Sequence, residues 1–159
     1  FDGDTETFVE FYNDFAKAKN ISLTSKRRID EMKGHFFISF AKLGEDILTA
    51  HSYLVDKEVG IARLYHSASK RLDENFDRKI IGRANKLLTW KDILYFKKTG
   101  LKTFDFGGIA EGTTDKSLAG INEFKLSFGG EKTECINYNS FGYAFLKKLG
   151  RKMGATGNG

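Results

Sequence analysis

The sequence has no proline, one cysteine and one tryptophan in 159 residues. Average proline usage near 5% would give roughly eight, so glycine must supply the sharp changes of chain direction. A lone Cys135 excludes an internal disulfide and a cysteine-rich zinc site. One free thiol suits a reducing compartment. No apolar run approaches the roughly 20 residues that a bilayer span needs. Repeats, low-complexity tracts and interdomain linkers are absent, and no His/Asp/Glu/Cys set has metal-ligand spacing. Nucleic-acid signatures of the RNP, KH or helix-turn-helix kind are missing too. The chain opens on Phe1 with no leader pattern. It reads as a trimmed chain, a fragment, or a chain with a disordered start.

What is present describes a globular protein. Hydrophobic residues make up 40% and charged residues 30%, enough apolar mass for one sizeable core. The expectation is a single domain over residues 1–153 and a disordered tail over 154–159. The 26 basic and 21 acidic residues leave a net charge of +5, which permits an anionic partner without demanding one. Eleven of the 17 glycines lie between Gly107 and Gly159, so the chain is rich in regular elements first and in loops later.

Periodicity orders the elements. Asp4 caps a helix whose Phe8, Phe11, Tyr12 and Phe15 fall on one face, ending near Asn20. A short helix follows from Thr24 or Ser25, with Ile29 and Met32 on one side, and stops at Gly34. Residues 35–42, 46–55 and 59–67 read as strands joined by tight turns, hence an antiparallel meander. Residues 68–77 read as a loop. A long helix over 78–99 carries Ile80, Ile81, Ala84, Leu87, Leu88, Leu94 and Tyr95 as its apolar stripe. Residues 102–106 form a short strand, parallel to its neighbour because a helix crossover precedes it. A helix over 117–127, a strand over 132–138 and an apolar piece over 141–149 complete the order. The fold class is α/β of the α+β kind: three layers, a mixed and mostly antiparallel sheet, helices on both faces.

Against that order, the runs KTFDFGGI at 102–109 and GINEFKLSFGGE at 120–131, with the helix ANKLLTW at 84–90, resemble the signature of the FemABX-type acyltransferases. These form a branch of the GNAT superfamily. The resemblance implies a GNAT-like fold and transfer of an acyl or aminoacyl group onto an amine, typically of a cell-envelope or polysaccharide precursor. It implies aminoacyl-tRNA or acyl-CoA as donor, and action in the cytoplasm or at the inner membrane surface. Full Fem proteins pair two such lobes. This chain resembles one, without an obvious strand before its first helix: that strand precedes Phe1, another chain supplies it as a homodimer or second lobe, or the fold is trimmed.

The same resemblance gives Lys125 its role. Acyl transfer to an amine passes through a tetrahedral oxyanion, best served by a fixed cation. Lys125 would supply it, and Phe124 would shape the site. Without the resemblance, Lys125 is one more exposed lysine of a surface helix. Gly107 and Gly108 allow a substrate close to backbone N–H groups, or simply end a strand. Asp105 points away from Phe104 and Phe106, toward a site or toward a structural partner. His66, at the end of the third strand, is the candidate general base. Tyr65, Glu111 and Tyr138 are the other candidates, and His35 and His51 the weakest.

Ordinary coenzyme A binding would need a Gly-rich phosphate loop at the start of the long helix. Here DENFDRKIIGRA at 73–84 has the wrong intervals, and Asp73, Glu74 and Asp77 would repel phosphate. Three basic clusters, at 25–28, 97–98 and 145–152, suit phosphates of tRNA or a lipid-linked precursor, or are solvated helix ends. The rival functions are an acetyl-CoA-dependent N-acetyltransferase and a non-catalytic binding lobe.

Overall fold

The computed structural model describes residues 4–134. Residues 1–128 form one compact unit and 129–159 a second, of which 129–134 are described. The sequence readings for Cys135, Tyr138, the apolar piece at 141–149, the basic cluster at 145–152, the tail and most of the strand at 132–138 lie outside the described residues.

Helix α1 spans Thr5–Lys19. The Asp4 carboxylate starts it by accepting the N–H groups of Glu6 and Thr7, at 3.1 and 3.2 Å, and the Thr7 hydroxyl. Those bonds hold the Asp4 carboxyl below its ordinary range. Asn20 closes the helix in the left-handed region, φ 52°. Phe8, Tyr12 and Ala16 are buried, one turn apart, and seat the helix on the sheet. Helix α2, Lys26–Asp30, is a short turn capped by the Ser25 hydroxyl on the Arg28 N–H.

The strands are β1 (Phe36–Leu43), β2 (Asp46–Asp56), β3 (Ile61–Ser69) and β4 (Thr103–Asp105). They lie in sequence order in a four-stranded sheet, antiparallel from β1 to β3 and parallel between β3 and β4. Helix α3, Arg78–Lys98, makes the crossover, and α4, Lys116–Leu126, follows β4. The mixed sheet with helices on both faces is as expected. Ala50 of β2 packs with α1, whereas Tyr53 and Val55 pack with Phe96 of α3. Side chains alternate across a strand, so the two clusters line opposite faces. Covering both faces buries nearly all of β2.

Several element boundaries shift from those read in the sequence. Val59 is exposed, and the turn runs on to Gly60, which takes φ 80°. The Gly60 carbonyl accepts the N–H groups of Lys102 and Thr103, so the turn also guides β4 into place. Ala68 and Ser69 belong to β3, with a single 3-10 turn at Lys70–Leu72 after it. Strand β4 is shorter at both ends than residues 102–106.

The long helix faces the sheet with an unexpected stripe. Ile80, Leu87 and Leu94 are exposed, while Ile81, Leu88, Thr89, Asp92 and Phe96 are buried. Asp92 turns inward because donors await it there. Its Oδ2 accepts the Tyr53 hydroxyl at 2.6 Å, the Ser39 hydroxyl at 3.0 Å and His51 Nδ1 at 3.0 Å. The side-chain amide of Asn85 lies 2.8 Å from His51 Nε2 and 3.0 Å from the Thr49 hydroxyl. Burial and the neighbouring carboxylate push the Tyr53 hydroxyl well above its ordinary pKa. His51 is therefore a structural residue of the core.

This network pins α3 to β1 and β2 by direction as well as by apolar contact. Asp92→Ala leaves three buried donors without their acceptor and is expected to cost about 3–5 kcal/mol. Urea unfolding of the variant measures this; a loss below about 1 kcal/mol would mean that the network contributes little.

Candidate active site at the parting of β3 and β4

Strand β3 is nine residues long and β4 three. Their pairing runs from Ile61 and Thr103 to Arg63 and Asp105. Beyond it, residues 64–69 have no described partner strand on that side. The chain after β4 turns away at Gly107, φ 73°, fixed by its N–H on Asp105 Oδ1 at 2.7 Å. On the β2 side, Ser52 pairs with His66 and Tyr53 with Leu64, which leaves Tyr65 as the extra residue of a bulge. A bulge re-aims side chains and bends its strand. The bulge and the end of the β3–β4 pairing fall at neighbouring residues of β3.

Helix α4 brings Lys125 to the loop that follows β4. Asp115 caps its start, accepting the N–H groups of Ser117 and Leu118. One turn before Lys125, the Asn122 side chain grips the loop after β4 at both polar ends. Its Oδ1 accepts the Ala110 N–H at 3.1 Å, and its Nδ2 donates to the Ala110 carbonyl at 2.8 Å. Lys125 Nζ then donates to the Gly108 carbonyl at 2.6 Å. Partial burial lowers the Lys125 pKa below its usual value, while the Asp105 carboxylate acts the other way.

Phe124 extends a row of rings from the sheet edge. Phe104 meets Phe106 at 4.7 Å between centroids, Phe106 meets Phe128 at 5.4 Å, and Phe128 meets Phe124 at 5.2 Å. Lys86 of α3 lies over the Phe128 ring, 5.8 Å from its centroid. The row gives the Lys125 segment an apolar floor. A partly buried ammonium beside a strand end can stabilise an oxyanion that forms there.

The other candidate residues divide into groups. Asp105 has structural partners as well as a place at the end of β4: Arg63 lies 3.5 Å from its Oδ2. Glu111 is exposed on the loop between β4 and α4. Tyr65 accepts a hydrogen bond from Arg28 Nη2 at 3.0 Å and packs edge-on against Phe36 and His66. His66 does not end the strand, because β3 continues for three residues to Ser69. Its Nδ1 lies 2.8 Å from the Ser52 hydroxyl, and its ring sits among Phe8, Tyr12, Phe36 and Tyr65. No hydrogen bond or ring contact among the described residues joins His66 to Lys125. Asn122 and Arg63 were not singled out by sequence reasoning. Asn122 lies within the GINEFK run, and its offset from Lys125 was the available signal.

At the start of α3, the Asp77 carboxylate accepts the Lys79 N–H at 2.7 Å. One N-terminal donor is thus already satisfied by an anion of the chain itself.

Comparison with solved structures bears on this geometry. The chain matches the crystal structure of an aminoglycoside acetyltransferase from an uncultured soil metagenomic sample in complex with sisomicin. The TM-score is 0.59 at 18% identity, over 87% of this chain and 90% of that one. A second structure of that enzyme, in complex with trehalose, matches with a TM-score of 0.58 at 18% identity, over the same shares of both chains. A probable acetyltransferase matches with a TM-score of 0.59 at 11% identity, over 85% of this chain and 89% of that one. The chain shares the fold of these acetyltransferase structures. No protein-family model matches the sequence, and no curated protein matches it. The matches show a common fold and carry nothing about the Fem branch.

Burial, then the nearby Arg28 charge, lowers the His66 pKa from 6.5 to about 4. The ring is neutral at pH 7. Because its folded pKa is depressed, its contribution to stability is complete above pH 6.5 and lost as the pH falls toward 4. An NMR titration of the His66 ring should show a midpoint near 4; a midpoint near 6.5 would place the ring in water.

Proposed function

We propose that this chain is an N-acyltransferase that moves an acyl or aminoacyl group onto an amine of a cell-envelope or polysaccharide precursor. The observation that supports it best is the Lys125 ammonium, seated on the Gly108 carbonyl where β3 and β4 part, in a chain with an acetyltransferase-type fold. The acyl carbonyl comes to lie beside Lys125. Attack by the amine turns it tetrahedral, and Lys125 stabilises the oxygen as its negative charge grows; collapse then breaks the donor's ester or thioester bond, and the tRNA hydroxyl or coenzyme A thiol leaves while the amine gives up its proton. Phe124 and its neighbouring rings keep the local dielectric low. Gly107 and Gly108 let the donor approach the backbone. Asp105 sets the field around Lys125 and fixes Gly107.

Proton removal from the amine is the weaker half of the mechanism. His66 is neutral at pH 7 and so is able to accept a proton, but its depressed pKa makes it a weak base. Tyr65 and Glu111 remain candidates, and so does substrate phosphate or water. The reading places the work in the cytoplasm or at the inner membrane surface. No described helix is long and apolar enough to cross a membrane.

A second reading, N-acetylation from acetyl-CoA, is favoured by the acetyltransferase descriptions of the matched structures. The two readings share Lys125 and differ in donor. Transfer from acetyl-CoA and from aminoacyl-tRNA to a panel of amine-bearing envelope and sugar precursors separates them.

For the effective donor, Lys125→Ala is expected to lower kcat by about 100- to 1000-fold with KM little changed. Its circular dichroism should match the parent's. Turnover within twofold of the parent would remove Lys125 from the mechanism. Asn122→Ala frees the loop at Ala110 and should lower kcat less, by about tenfold, through misplacement of Lys125. An unchanged kcat would show that the grip on Ala110 does not position the lysine.

A further inference from the structure

Helix α2 carries three successive cations, and the structure treats them differently. Lys26 lies 3.5 Å from the Glu6 carboxylate and Arg27 lies 3.0 Å from Glu31. No described carboxylate pairs with Arg28. Its Nη2 instead donates to the Tyr65 hydroxyl, 37 residues away in sequence, at 3.0 Å. Tyr65 is the bulged residue of β3, and its ring is fixed edge-on between Phe36 and His66. Arg63, the neighbouring cation on β3, has its charge answered by Asp105 at 3.5 Å. Arg28 is thus the cation beside the bulge whose charge no carboxylate among the described residues balances.

The contact leaves binding capacity in both partners. The guanidinium has five N–H donors in a planar fork, and Tyr65 takes one of them. The Tyr65 hydroxyl accepts in that bond, so its own proton is still available. Side by side, these donors match the geometry of a carboxylate or phosphate, which an arginine fork recognises by paired hydrogen bonds. A polycationic amine would meet repulsion at the same place.

We infer that Arg28 and Tyr65 form an acceptor-side subsite for an anionic group, carboxylate or phosphate, carried by the amine substrate. This inference rests on the acyltransferase reading for its word "acceptor" alone; the anion site itself stands on the geometry. In this subsite Arg28 and Tyr65 act by holding the substrate's anion. The charge of Arg28 also reaches the His66 ring, where it is the second cause, after burial, of that ring's low proton affinity. A bound anion would offset it, so occupation of the subsite has a spectroscopic signature.

The test uses the full chain and two probes, sodium acetate and inorganic phosphate, added at constant ionic strength with chloride as the balance. NMR follows the Arg28 Nε–H and the Tyr65 and His66 rings. Saturable shifts at these groups are expected with at least one probe, and the preferred probe tells a carboxylate-bearing acceptor from a phosphorylated one. Arg28→Gln should weaken binding at least tenfold, and Tyr65→Phe, which keeps the ring packing, by a few-fold. Lys26→Gln and Arg27→Gln should bind as the parent does. Shifts that rise linearly without saturation, or binding unchanged in Arg28→Gln, would overturn the subsite. Acyl transfer is scored separately. Anion binding that persists while Lys125→Ala keeps full turnover would retire the mechanism and leave the subsite. Lys125-dependent transfer with parent-like anion binding in Arg28→Gln would do the reverse.

Discussion

The hydrogen bond from the Lys125 ammonium to the Gly108 carbonyl is the contact on which the functional account depends. It joins α4 to the loop that leaves β4 at the place where β3 and β4 separate. A lysine elsewhere on α4 would be one of many solvated cations. Here the charge loses part of its water shell without losing a polar partner, and Asp105 opposes the loss of its proton. A cation so placed strengthens its hold on a growing negative charge with little reorganisation.

Two interfaces fix the sheet that this loop leaves. On one face, Asp92, His51, Tyr53 and Asn85 lock α3 to the central strands through directional bonds in a buried interior. On the opposite face, Phe8, Tyr12 and Ala16 seat α1 by apolar contact. Two differently built interfaces thus fix the two faces of one sheet. The β1–β2 pairing shifts register at Ala41 and Lys42, the β2–β3 pairing at Tyr65, and β4 is short; the candidate residues lie near the last two. Rigid layers around an irregular edge are a common way to place functional groups precisely in space.

Much of this was legible in the chain itself. Helix α1 has a strong period and an aspartate at its cap, so both its face and its start could be read. The meander followed from short connections, and the parallel β3–β4 pair from the crossover. The place of Lys125 came from the spacing of the GINEFK run and its likeness to a known family, not from helical periodicity. Other features left little trace. The turn after β2 looked complete at Asp56, Lys57 and Glu58, which hid the positive φ of Gly60. A bulge is a property of strand pairing, so nothing local marks Tyr65. Leu87 and Leu94 look more like core residues than Asp92, and the acid is buried because three donors on β1 and β2 are waiting for it. Contacts between distant segments, such as Arg28 with Tyr65 and Asn122 with Ala110, depend on the finished fold.

The most direct measurement is an NMR titration of the Lys125 side chain, followed at its terminal carbon and nitrogen, in the parent and in Asp105→Asn. The account predicts a midpoint below the usual lysine value of 10.5, because the ammonium is partly buried. It predicts a further fall in Asp105→Asn, because the carboxylate that favours the charged form is gone. An ordinary midpoint, indifferent to the Asp105 change, would put the amine in bulk water and contradict the account at its base.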